Sequence, residues 1–193
     1  MSTFVEIQDL KSRLAVLLAQ KSYKEGDFTL ASGRKSDYYF DCRQTALNPE
    51  GAWLLGKIFV HMIDGLDSPI DGVAGMTLGA DPLVSAVTVV SFLQKNPLPG
   101  MLVRKKAKGY GTESYLEGTA NFASGAGVCM LEDVVTTGGS VVRACERVNA
   151  AGYKVRAVFC VLDREEGGSG ELEKHGYELL SIFKREDIAG AAG

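Results

Sequence analysis

The sequence predicts an α/β protein, with a central, mostly parallel sheet flanked by helices. Three observations carry this expectation. From about residue 70, short apolar runs alternate with amphipathic stretches, the rhythm of strand and helix in turn. Two helix starts read as a capping residue followed by proline, Asn48-Pro49 and Asp81-Pro82. The apolar run Val128 to Leu131 passes through two carboxylates and a Thr/Gly/Ser turn into the amphipathic stretch Val141 to Ala151. That last pattern is a buried strand, a tight turn and a helix.

Taken in order, Ile7, Leu10, Leu14, Leu17 and Leu18 recur at helical spacing and predict a helix over 6–22, broken by Gly26. Residues 27–41 predict strand, turn and strand, with Phe28 and Leu30 before Ser32 to Ser36, and Tyr38 to Phe40 after. Asn48 caps a helix running to about Ile63, whose buried face is Leu54, Leu55, Ile58 and Met62. Ile70 to Gly75 predicts a strand, followed by a helix from Asp81-Pro82 to about Gln94 and a strand from Gly100 to Arg104. Residues 105–120 are polar and glycine-bearing, without a period. After the helix that ends at Gly152, Val155 to Leu162 predicts a long strand. Glu171 to His175 then predicts a short helix and Glu178 to Lys184 a final strand, with Ala189 to Gly193 loose.

A chain of 193 residues suits one domain spanning 1–193 and can bury a real core. A formal charge of −3 gives no general reason to expect nucleic acid, so attraction for anions must be local. Cys42, Cys129, Cys145 and Cys160 show no CxxC pairing and read as reduced core residues. Glu6 and Asp9 interrupt the first apolar positions, unlike a signal peptide, and no apolar run reaches membrane-spanning length. The expectation is a cytoplasmic enzyme or binding protein with no membrane contact.

The chemistry gathers at four strand ends, where ligands bind in parallel sheets. The first is Glu132-Asp133-Val134-Val135-Thr136-Thr137-Gly138-Gly139-Ser140. Its small residues let backbone N–H groups approach a phosphate, and the helix start adds a favourable dipole. The carboxylates would repel that phosphate, so they should face hydroxyls or a metal. A ribose 5-phosphate offers both features. No Lys follows the glycines, which argues against a Walker loop.

The second strand end is Gly75 to Pro82, whose backbone could serve an anion at Thr77, Leu78 and Gly79, or could simply connect strand to helix. The third, Arg104 to Thr112, places four cations within five positions. It reads as a solvated basic loop or as an anion-binding one. The fourth is Asp163-Arg164-Glu165-Glu166-Gly167, where Arg164 either pairs with a neighbouring Glu or grips a planar acid two-fold.

The acidic-pair turn resembles the signature of type I phosphoribosyltransferases, which bind phosphoribosyl pyrophosphate (PRPP). Arg104, Lys105 and Lys108 resemble the catalytic loop of orotate phosphoribosyltransferases, with Tyr110 where His is usual and Glu117-Gly118 closing the loop. Phe28 to Tyr39 resembles that family's hood over the base, with Ala31 in place of a common Lys. The second turn likewise carries Leu78 and no Lys.

The resemblance implies the type I phosphoribosyltransferase fold, with a small hood built mainly from residues 1–45 and the C-terminal part. It implies transfer of ribose 5-phosphate from PRPP to orotate, giving orotidine 5′-monophosphate and pyrophosphate in pyrimidine biosynthesis. It also implies that Arg104, Lys105, Lys108 and Tyr110 meet pyrophosphate, joined by the turn at Thr77, Leu78 and Gly79. Glu132 and Asp133 would hold the ribose hydroxyls and Thr137 to Ser140 the 5′-phosphate, with Val134, Val135 and Thr136 completing the PRPP-binding segment, and Thr136, Arg164, Tyr38 and Tyr39 would meet the orotate. Arg104, Lys105, Lys108 and Asp133 form the catalytic set.

Mg²⁺ would be held mainly by substrate and water, with no direct protein ligand. A homodimer sharing residues 104–118 across its interface is implied as well. Salvage of another base, or PRPP sensing without catalysis, are the alternatives. The absence of a basic helix speaks against a nucleic-acid-binding regulator.

Overall fold

The computed structural model describes residues 2–29, 35–106 and 115–191, with residues 2–5 described by their main chain alone. Helix α1 (Ser2–Lys21) leads into an antiparallel hairpin of β1 (Tyr23–Thr29) and β2 (Lys35–Phe40). Two helices follow, the single turn α2 (Arg43–Ala46) and α3 (Pro49–Asp64). Then come β3 (Gly72–Met76), α4 (Asp81–Leu93), β4 (Gly100–Val103) and the two-residue β5 (Leu116–Glu117). The remainder is β6 (Gly127–Val135), α5 (Gly139–Ala150), β7 (Lys154–Asp163), α6 (Gly168–Lys174), β8 (Leu179–Lys184) and α7 (Arg185–Ala189).

The main sheet has six strands in the order β5-β4-β3-β6-β7-β8, all parallel except β5. Both faces are covered, so the inner strands are apolar throughout rather than alternating. Alternation instead sorts their side chains between two cores. Cys129 and Leu131 face the core that α1, α3 and α4 complete, whereas Val128 and Met130 face the one that α5 and α6 complete. Phe59 of α3 stacks on Phe159 of β7 with ring centres 6.4 Å apart, both fully buried. Burying each such side chain contributes on the order of 2 kcal/mol.

The Asn48 start forms as the sequence predicts. Its side chain accepts hydrogen bonds from the N–H groups of Glu50 and Gly51, both at 3.1 Å, with Pro49 at the first helical position. The second start differs: Asp81 is already helical, and Ala80 takes the cap position without a side-chain bond. Gly26 does not end α1, which stops at Lys21. It lies inside β1 beside a register irregularity between Glu25 and Phe28, at φ 147°. Within the polar stretch 105–120, β5 pairs with β4 and a short 3₁₀ turn covers Thr119–Asn121. Helix α6 begins three residues earlier than expected, at Gly168.

The hairpin is tied to the helices below it. The Asp41 N–H donates to Ser22 O at 2.9 Å, and the buried hydroxyls of Ser22 and Thr45 share a hydrogen bond of 2.7 Å. From the C-terminal side, Arg185 of α7 pairs with Asp37 of β2.

Candidate active site

The strand order changes direction at β3. From there the chain runs outward to β4 on one side, and from β6 to β7 and β8 on the other. The carboxyl ends of β3 and β6 therefore flank an open crevice, the place where such sheets take ligands. The crevice holds about 470 Å³ and is lined by pieces of all four sequence-predicted strand ends.

On the β6 side, Glu132 is buried and Asp133 half-buried. The Asp133 N–H donates to Glu132 Oε1 at 3.1 Å, and the Val134 N–H to Asp133 Oδ1 at 2.8 Å. These local bonds fix both carboxylates at the lip. Burial, followed by the hydrogen bond and charge of neighbouring Asp133, pushes the Glu132 carboxyl well above the usual range. Val134, Thr136, Thr137 and Ser140 line the crevice beside them. Val135, expected among the PRPP-binding residues, does not line the crevice: its side chain points into the α5 core and its carbonyl accepts the Arg164 N–H.

Gly138 caps α5 at φ 79°, and a Cβ there would press against Gly168 O at 2.8 Å. Only glycine meets both demands. Helical bonding begins with the Val142 N–H on Gly138 O, so the N–H groups of Gly139, Ser140 and Val141 lie at the open end of the helix.

On the β3 side, Thr77, Leu78 and Gly79 form the turn, with a cis peptide between Thr77 and Leu78. The Thr77 N–H donates to Val103 O at 2.9 Å. A Cβ on Gly79 would fall onto the Asp133 carboxylate, so a glycine here lets the two strand ends meet. Lys105 reaches the crevice from beyond β4. Arg104 does not line it, and pairs with Glu117 at 3.1 Å. Lys108 and Tyr110 lie outside the described residues, as do Leu30 to Arg34 of the hood.

Arg164 follows β7, and its N–H donates to Val135 O at 3.0 Å, joining the β6 and β7 ends. Its guanidinium is buried and donates to Glu166 Oε1 at 2.8 Å and to Ser36 Oγ at 3.1 Å. It also lies 4.3 Å from the Tyr38 ring, which Arg185 likewise approaches at 4.3 Å and on which Tyr23 stacks at 5.5 Å. Arg164 lines the crevice and also a second cleft of about 610 Å³ under the hairpin.

The two tyrosines of β2 part company by strand alternation. Tyr39 lines the crevice and tilts against Phe28 at 5.6 Å, whereas Tyr38 is buried and lines the second cleft. Phe40, Asp41, Arg43 and Met76 also line the crevice, although sequence reasoning singled out none of them as site residues. The signal for Arg43 and Asp41 was their position directly after the hood strand; they form an ion pair at 2.8 Å.

No family model matches the chain. The orotate phosphoribosyltransferase of Nostoc sp. is 44% identical over 183 residues, covering 95% of this chain and 87% of that protein. The Aquifex aeolicus enzyme of the same name is 40% identical, covering 92% of this chain and 97% of that one. The crystal structure of Mycobacterium tuberculosis orotate phosphoribosyltransferase in complex with PRPP superposes with a TM-score of 0.77 at 29% identity, covering 93% of this chain and 99% of that chain. Fold and strand-end chemistry together define a type I phosphoribosyltransferase. Within that class, the chain belongs to the orotate phosphoribosyltransferase family.

Proposed function

We propose that this chain transfers the ribose 5-phosphate group of PRPP to orotate, releasing pyrophosphate and forming orotidine 5′-monophosphate. The observation that carries the reading is the single crevice in which the acidic pair, the phosphate turn, Lys105 and Arg164 converge. Displacement at C1′ leaves negative charge on the departing pyrophosphate, so the protein needs fixed cations and donors more than a strong base. In this reading Lys105 neutralises the leaving group, with Arg104, Lys108 and Tyr110 as its loop companions. In the turn at Thr77 to Gly79, the N–H groups of Leu78 and Gly79 serve the same group, that of Thr77 being taken by Val103 O. Glu132 and Asp133 accept from the ribose hydroxyls, and Thr137 to Ser140 hold the 5′-phosphate.

Arg164 faces orotate's carboxylate, with Thr136 and Tyr39 beside the ring and Tyr38 behind the guanidinium. That stack and the bonds to Glu166 and Ser36 hold the planar fork in one orientation.

Mg²⁺ belongs to the same proposal. A hard ion that dehydrates reluctantly would be held mainly by pyrophosphate, ribose and water oxygens rather than by a protein carboxylate, and burial of Glu132 agrees with that. When bound, the ion would offset pyrophosphate charge. A homodimer sharing residues 104–118 is also part of the proposal. It is supported by an apolar face of Leu47, Trp53, Leu78, Val89 and Leu93, all exposed and directly beside the crevice. A cytoplasmic location is consistent with four free, buried cysteines.

The decisive assay follows loss of orotate absorbance with PRPP and Mg²⁺, run beside uracil and hypoxanthine. Turnover with orotate alone is expected. Turnover with another base and none with orotate would sink the substrate assignment.

A further inference from the structure

Arg147 lies in the last turn of α5, about 12 Å along the helix from the phosphate turn at its start. Its guanidinium reaches from α5 to the chain directly beyond the end of β4. Nη1 donates to Arg104 O at 2.8 Å and Nη2 to Lys105 O at 3.3 Å, a fork across two successive carbonyls. The face of the same group lies 4.2 Å from the Tyr115 ring centre. Tyr115 in turn accepts the Arg104 N–H on its carbonyl at 2.7 Å, and Arg104 pairs with Glu117 of β5. One half-buried side chain thus touches both chain segments that meet at this sheet edge. It holds the main chain of the residue whose side chain enters the crevice.

We propose that Arg147 is a positioning residue for Lys105, binding the pyrophosphate-facing cation to the helix that begins at the phosphate turn. This rests on the functional reading above. The fork holds the Lys105 carbonyl and the stack holds Tyr115, so the Lys105 main chain stays in register with α5. A lysine at 147 would keep charge and one donor but lose the fork and most of the stacked face.

The test compares wild type, Arg147→Gln, Arg147→Lys and Lys105→Ala, with the double variants. Misplacing a catalytic group by a fraction of its reach costs about tenfold or more, so Arg147→Gln should lower kcat/KM for PRPP by roughly that factor. Arg147→Lys should recover part of the loss. Against a Lys105→Ala background the same Gln substitution should change kcat/KM by less than about twofold, because residues acting through one another are not additive. By calorimetry, Arg147→Gln should weaken PRPP binding while ribose 5-phosphate, which lacks the pyrophosphate, binds as before.

Unchanged kcat/KM in Arg147→Gln, or an undiminished loss in the Lys105→Ala background, would overturn the proposal. So would equal weakening of PRPP and ribose 5-phosphate. Should Arg147→Gln fail to fold, Tyr115→Leu removes the stack alone and is read by the same criteria. Inactivity of the wild type with orotate would count against the substrate instead, and the two-ligand calorimetry would still decide the role of Arg147.

Discussion

Lys105 is the described cation of its segment that lines the crevice, so a single substitution tests its role. Lys105→Ala should lower turnover about a hundredfold, on the order of 3 kcal/mol of transition-state stabilisation, with little change in unfolding free energy. Its side chain is exposed, so folding loses little when it is removed. Steady-state kinetics beside urea unfolding check both halves.

Glu132 gives the opposite separation. Its pKa is raised in the folded state, so the native protein holds this proton to higher pH than the unfolded chain does. Stability from this group is therefore full below the ordinary carboxylate range and is lost as pH rises through the folded value. Glu132→Gln should be more stable than wild type at pH 8 yet less active, and its stability advantage should shrink towards pH 4.5. Urea midpoints at the two pH values decide this, and an advantage that grows on acidification would contradict it. The acidic pair was legible in the sequence because it is contiguous with its turn. Arg147 was not, since the 42 and 43 positions separating it from its carbonyl partners close only through the sheet order.

Elements were legible where local chemistry settles them. Asn48 and Pro49 mark α3 because a side-chain acceptor and a missing N–H act within one turn. Asn48→Ala should cost about 1 kcal/mol, lowering the melting temperature by roughly 2–4 °C for a chain of this size. Calorimetric melting measures it, and an unchanged melting temperature would deny the cap its weight. Asp81-Pro82 repeats the pattern of a capping residue before proline, but Asp81 enters the helix and Ala80, fully buried beneath the β3 turn, takes the cap position. Gly26 invited a helix break because the sequence gives the glycine but not its φ; in the structure it serves a strand irregularity. Strand β5 was hidden by its length, two residues whose pairing to β4 is tertiary.

For the whole molecule, the apolar face beside the crevice carries the assembly proposal. Leu93→Glu should convert a dimer to monomers and lower activity with it, as light scattering and kinetics on the same samples would reveal. Lys105 lines its own chain's crevice beside Asp133, so the sharing test uses the loop beyond it: mixing Lys108→Ala with Asp133→Asn subunits should restore part of the lost turnover if that loop serves the neighbouring site. Absence of any recovery would place each site within one subunit. The fold class itself was legible because alternation along the chain dictates parallel strands, whereas the direction change at β3 that opens the crevice emerges only from the assembled order.

That order also divides the crevice by mechanical firmness. The acidic pair and Arg164 hang from β6 and β7, which pair along nearly their whole lengths. Lys105 hangs from β4, whose outer neighbour is a two-residue strand. Deuterium should therefore enter the amides around Lys105 long before those at Glu132 and Asp133. On the proposed reading, product leaves through partial opening on the cationic side, while the acidic-pair end stays folded from one turnover to the next.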